Sequence, residues 1–135
     1  MVTTEIKNSL RQSLAELTIA ENELNRPFED VVTLALCLTA RRSMNTLLQN
    51  YLKSKEIAHD KEKSLHDLLS LCRASDKQFD NIDLSKILCN SLNHAQCEDK
   101  HCLTYNNVEE CISVAKTIKH TVLQQLNLNE SDLAL

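Results

Sequence analysis

Along most of the chain apolar residues recur three, four or seven positions apart, the spacing that lines one face of an α-helix. Between Thr3 and Asn25, this period falls on Ile6, Leu10, Leu14, Leu17 and Leu24, with Arg11, Glu16, Glu21 and Glu23 between them. The pattern predicts one amphipathic helix. Thr3 or Thr4 suits its N-cap, and Pro27 drives the preceding residue out of the α region, so the helix ends near Asn25 or Arg26. With no glycine nearby, Asn25 is the residue best suited to a left-handed C-terminal turn. Pro27 fits the first turn of a second helix running to about Lys55, with Glu29 and Asp30 at its positive end. Its stretch from Val31 to Ala40 is apolar on most sides, which predicts a central helix with more apolar surface than one small bundle encloses.

A polar link, Glu56 to Lys63, precedes a third helix with Ser64 as cap, Asp67 as a carboxylate variant of the capping box, and Leu65, Leu68, Leu69 and Cys72 as its buried stripe. Ala74 to Asn81 reads as a loop anchored by Phe79. Asp83 opens a shorter helix through Ile87, Leu88 and Leu92, and Asn93 to Asn107 reads as polar and irregular. A last helix, capped by Asn106 or Asn107, buries Val108, Cys111, Ile112, Ala115, Ile118, Val122 and Leu126. The expected architecture is one all-α domain over 1–126, an up-and-down helical bundle of about five helices, with 127–135 a frayed tail.

Composition narrows the field in the same direction. At an average usage of roughly 7%, a chain of this length would hold about nine glycines, yet it has none and a single proline. Hairpin, Rossmann and phosphate-loop folds need glycine where backbone φ is positive or a phosphate comes close, so they fall away. The 23 leucines supply an ordinary helical core. With 15 basic and 19 acidic side chains, the net charge of -4 argues against a nucleic-acid scaffold. No run approaches 18 apolar residues, so no membrane span is expected. No N-terminal segment combines a charged start, an apolar run and a small-residue cleavage site, which predicts a cytoplasmic protein with reduced thiols.

The run Ala40-Arg41-Arg42-Ser43-Met44-Asn45-Thr46-Leu47-Leu48-Gln49-Asn50-Tyr51-Leu52-Lys53, then Ser64-Leu65-His66-Asp67-Leu68-Leu69-Ser70-Leu71-Cys72, then Phe79-Asp80-Asn81-Ile82-Asp83, and the closing helix from Cys111, together resemble the HEPN superfamily over about 31–126. The resemblance implies a helical bundle of small prokaryotic proteins that usually dimerises and is often paired with a nucleotidyltransferase. It also implies that active members are metal-independent ribonucleases with an arginine followed, after four to six residues, by a histidine. In that pair the histidine moves a proton on the ribose hydroxyl while the guanidinium steadies the phosphate. No histidine stands five to seven positions after Arg11, Arg26, Arg41, Arg42 or Arg73. Lys61 with His66 and Lys53 with His59 have the spacing but lack the bidentate fork. Where the family carries an Arg-Tyr-Pro loop, this chain has Leu103-Thr104-Tyr105-Asn106.

The expected function is therefore a non-catalytic HEPN-like binding or assembly module, a homodimer or docked to a partner protein, with no cofactor and no catalytic residue assigned. An RNA- or nucleotide-binding protein with a non-standard site is the alternative, and a small metal-binding regulator the third. Arg41, Asn45, Lys53 and His66 are the candidates for holding an anion, set against surface pairing of Arg41 or Arg42 with Glu16 or Glu110. His94, Cys97, His101 and Cys102 offer nitrogen and sulfur donors to zinc, but their irregular spacing favours a polar loop without metal. Cys37, Cys72, Cys89 and Cys111 fall on apolar stripes and read as small core residues; His66 and His120 read as solvated.

Overall fold

The computed structural model describes residues 2–25, 33–60, 63–84 and 105–133. Four α-helices are present among them: α1 (Thr4–Leu24), α2 (Thr33–Ser54), α3 (Leu65–Ser75) and α4 (Tyr105–Gln125). Two 3-10 turns, Lys77–Asn81 and Glu130–Leu133, complete the regular structure, and there is no strand among the described residues. The all-α expectation holds. The helix anticipated after Asp83, most of the irregular stretch to Asn107, and the first turn from Pro27 to Asp30 lie outside the described residues.

Local signals set two helix starts. Thr3, in extended conformation, accepts a hydrogen bond from the Ile6 amide at 3.2 Å, and Ser64 does the same for the Asp67 amide at 3.2 Å. Each fills one of the donors that a helix N-terminus leaves open. Behind these caps the predicted stripes are buried: Leu10, Leu14 and Leu17 on α1, Leu65, Leu68, Leu69 and Cys72 on α3, and Val108, Ile112, Ala115, Ile118 and Val122 on α4.

Helix α2 is the centre of the fold, packing against α1, α3 and α4, while α1 and α4 also touch each other. Its Leu36, Ala40, Met44, Leu47, Leu48 and Leu52 are buried by the chain's own helices and Leu38 is half-buried; the side chains of 31–35, where the apolar excess was expected, lie outside the described residues. The α1–α2 contact is antiparallel and polar at its middle. Ser13 Oγ donates to the Ser43 carbonyl and Ser43 Oγ to the Ser13 carbonyl, both at 3.2 Å, and lower down Asn50 Nδ2 donates to Ser9 Oγ at 2.9 Å. On the opposite side Tyr51 stacks edge-on against Phe79 with ring centroids 4.7 Å apart, and its hydroxyl meets Ser75 Oγ at 3.1 Å. Arg73 clamps the following turn by donating to the carbonyls of Phe79 and Ile82.

Several element ends differ from expectation. Asn25 closes α1 in ordinary right-handed geometry, φ -83°, and the left-handed positions are Glu56 (φ 58°) and Asn127 (φ 56°). Both follow the same hydrogen-bond pattern. The Ile57 amide reaches the Leu52 carbonyl and the Glu56 amide that of Lys53; the Leu128 amide reaches Leu123 and the Asn127 amide Gln124. These are Schellman closures, in which the residue after the left-handed one packs back on the helix, as Ile57 and Leu128 do. The Ala74–Asn81 segment is not a loop: Ala74 and Ser75 finish α3, and Asp76 caps a 3-10 turn that carries the buried Phe79. Helix α4 starts at Tyr105, slightly before the predicted asparagine cap. The tail does not fray as far as Leu133, which is buried and whose carbonyl accepts from Arg11 Nε at 3.2 Å.

A left-handed conformation costs a non-glycine residue about 1–2 kcal/mol, and glycine escapes it at some cost in chain entropy. Glu56 is exposed, so little else is lost on replacing it. Glu56→Gly should raise unfolding stability by about 0.5–1 kcal/mol in urea melts. Asn127→Gly should gain less, because asparagine tolerates this region better.

Candidate functional site

Four side chains run along one side of α2 at four-residue intervals: Cys37, Arg41, Asn45 and Gln49. Residues spaced this way share a helix face. The first two are buried, with Cys37 4% and Arg41 1% exposed; Asn45 and Gln49 are half-buried. Asn45 Oδ1 is itself enclosed and accepts no hydrogen bond among the described residues. Helix α4, packed against α2, carries Cys111, 2% exposed.

A guanidinium stays charged even when buried, since its pKa exceeds about 12. Its field acts on the thiols beside it. The hydrogen bond from Cys111 holds Cys37 below the ordinary thiol range, against the opposing effect of burial, and the Arg41 charge adds to the lowering. Cys111, as the donor to Cys37 and itself desolvated, is pushed up. Cys72, buried on α3 with its Sγ 3.9 Å from the Leu48 carbonyl, is pushed up to about 12 by burial. Among the described residues, Cys37 and Cys72 are thus shifted in opposite directions.

Of the four residues expected to hold an anion, Arg41 and Asn45 are neighbours on one face. Lys53 is twelve residues beyond Arg41 on the same helix, about 18 Å along its axis, and is exposed. His66 is exposed in the first turn of α3. A single phosphate cannot be gripped by Arg41 and Lys53 together across that distance. Arg41 is in the interior and not on the surface. Arg42 is the surface arginine, 3.4 Å from Thr39 Oγ1. His94, Cys97, His101 and Cys102 lie outside the described residues, as does Cys89; among the described residues no group of side chains is arranged to hold a metal ion.

The thiol pair was not visible in the sequence. Cys37 and Cys111 each sit on an apolar stripe, but nothing in their spacing sets the register of α2 against α4. The inward position of Arg41 did have a signal: it stands four residues after Cys37 and seven before Leu48, on the buried stripe. No family model, curated protein or solved structure matches the chain, and no described helix is long and apolar enough to cross a membrane.

The two adjacent arginines should answer substitution very differently. Arg41→Ala removes a large side chain from a packed interior and should cost about 2–5 kcal/mol. Arg42→Ala should stay within about 0.5 kcal/mol. Paired urea melts check both.

Proposed function

We propose that the chain is a non-catalytic, HEPN-like binding or assembly module that works through the outer faces of its helical bundle, as a homodimer or docked to a partner protein. The burial of Arg41 carries this reading. A ribonuclease of the kind the resemblance implies needs a guanidinium facing the phosphate and a histidine close behind it. Here the arginine best placed on the central helix is turned into the core beside two thiols. Of the other interior polar groups among the described residues, Ser13, Ser43 and Asn50 are spent on the α1–α2 contact and Ser54 on the Tyr51 carbonyl.

What remains for recognition is the outside of the bundle. Much of the described apolar surface of α2 is spent inside the bundle. On α1, Ile19 is 66% exposed, the one exposed large hydrophobic among the described residues. This favours the outer side of α1, around Ile19, as the contact surface, flanked by the exposed Thr18 and Asn22.

Sedimentation at micromolar concentration should show a dimer that Ile19→Asp shifts towards monomer. A monomeric wild-type chain would remove the homodimer. Incubation with single-stranded RNA should leave the RNA intact, since loss of a general acid or base costs about 10²- to 10⁴-fold. Cleavage that disappears with His66→Ala or His94→Ala would overturn the non-catalytic reading and restore the nuclease one.

A further inference from the structure

We propose that residues 127–133 form a strap that opens as one unit about Asn127 while the four helices stay folded, its closure set by two charged tethers. The strap leaves the end of α4 and reaches across to α1. Leu133, at its far end, is buried and belongs to the hydrophobic core. Arg11 of α1 donates from Nε to the Leu133 carbonyl at 3.2 Å. Its Nη1 donates to Asn8 Oδ1 at 2.9 Å, which braces the guanidinium along its own helix. Lys119 of α4 meets Glu130 at 2.8 Å.

The turn inside the strap is complete without the bundle. The Asp132 amide donates to Asn129 Oδ1 at 3.0 Å, the Asn129 amide to Asp132 Oδ2 at 2.9 Å, and Ser131 Oγ to Asn129 Oδ1 at 2.5 Å. These bonds stay within 129–132, so lifting the strap breaks none of them. Nor does the strap lie flush on α4. A cleft of about 500 Å³ separates Leu123 and Gln124 of the helix from Asn129 and Glu130 of the strap. Apart from Leu128 beside the hinge, attachment is therefore concentrated at Leu133 and the two tethers.

The hinge is the left-handed Asn127, φ 56°, a conformation that a non-glycine residue does not favour by itself. Rotation there also releases the bond from the Leu128 amide to the Leu123 carbonyl. Opening the strap uncovers the apolar seat of Leu133 and parts one ion pair and one side-chain hydrogen bond. Separating α4 from the bundle would instead expose a whole stripe, including Ile112, Ala115, Ile118 and Val122. Openings that expose little apolar surface are the frequent ones, so the strap moves before the helices do. Glu130 is exposed, which makes its pair with Lys119 sensitive to salt.

The test places a thiol at the strap's tip with Leu133→Cys in the full chain. The reduced protein is alkylated with iodoacetamide under native conditions and mapped by peptide mass, each rate being taken relative to the same thiol in denaturant. Cys37, Cys72 and Cys111, free and buried in the helices, report in the same sample on opening of the bundle. Position 133 should be protected, yet react at least about a hundredfold faster than those three. Lys119→Met should speed it by up to about fivefold, as should roughly 1 M salt, and Arg11→Met by about tenfold or more. The three helix thiols should not change. In the chain with Leu133 intact, the Leu128 amide should exchange hydrogen faster than that of Ile118. Protection at 133 equal to that of Cys37, Cys72 and Cys111 overturns the proposal, since the strap then opens only with the helices. So does an unprotected Leu128 amide with Leu133 intact, which leaves no closed strap. A rate at 133 that neither Lys119→Met nor Arg11→Met alters overturns it as well.

Discussion

A helix enclosed by three others has no water to offer its polar groups, and this constraint on α2 governs the rest of the fold. A buried donor left without an acceptor costs about 1–3 kcal/mol, and the buried neutral side chains Ser43, Asn50 and Ser54 of α2 find their partners within the protein. Ser43 is answered by Ser13 and Asn50 by Ser9, while Asn50 also returns to its own Thr46 carbonyl at 2.9 Å and Ser54 to that of Tyr51. Leucine stripes alone define a helix contact loosely, since one apolar side chain can replace another after a slip of one turn. The serine pair does not permit such a slip. Moving α1 by one turn would leave two hydroxyls buried without partners, and the small side chains at that contact also let the two backbones approach closely. Register in this bundle is thus set by its few buried polar groups, and volume is filled by its many leucines.

The same distinction explains what could be read from the sequence. The stripes on α1, α3 and α4 were legible because burial of one helical face imposes its period directly on the residues, as with Leu65, Leu68, Leu69 and Cys72. The caps at Thr3 and Ser64 were legible because they involve only neighbours three residues away. Endings were not. Whether Asn25 or Glu56 turns left-handed depends on whether the next apolar residue finds the core, and Ile57 does. The tail from Asn127 to Leu133 looked polar enough to fray, yet it is held by Leu133, by Arg11 from α1 and by a Lys119–Glu130 contact of 2.8 Å. All of these are long-range, and a single sequence carries no register between distant elements. For the candidate site the division is sharper still: Arg41 was found as a residue of interest, but its burial and its thiol neighbours depend on how α4 lies along α2.

A chain without glycine must stop its helices by other means, and α3 does so by turning extended at Asp76. At α1 the helix ends in ordinary geometry before Pro27, and at α2 and α4 a non-glycine residue accepts the left-handed conformation. The strain at Glu56 is offset by the Schellman hydrogen bonds and by packing of Ile57 against the core. Such an ending is firm only while that packing lasts, so the ends of α2 and α4 are coupled to the interior more tightly than a glycine ending would make them.

Arg41 brings these threads together. A charge in the core carries a desolvation cost of several kcal/mol, and a methionine or leucine of similar volume would fill the same space without it. The energetics of packing therefore give no reason for a guanidinium at this position. Its polar partners give one: stripping Arg41 of its interactions within the fold would leave an uncompensated buried charge, so it resists rotation of α2 about its axis as the serine pair resists a slip of α1.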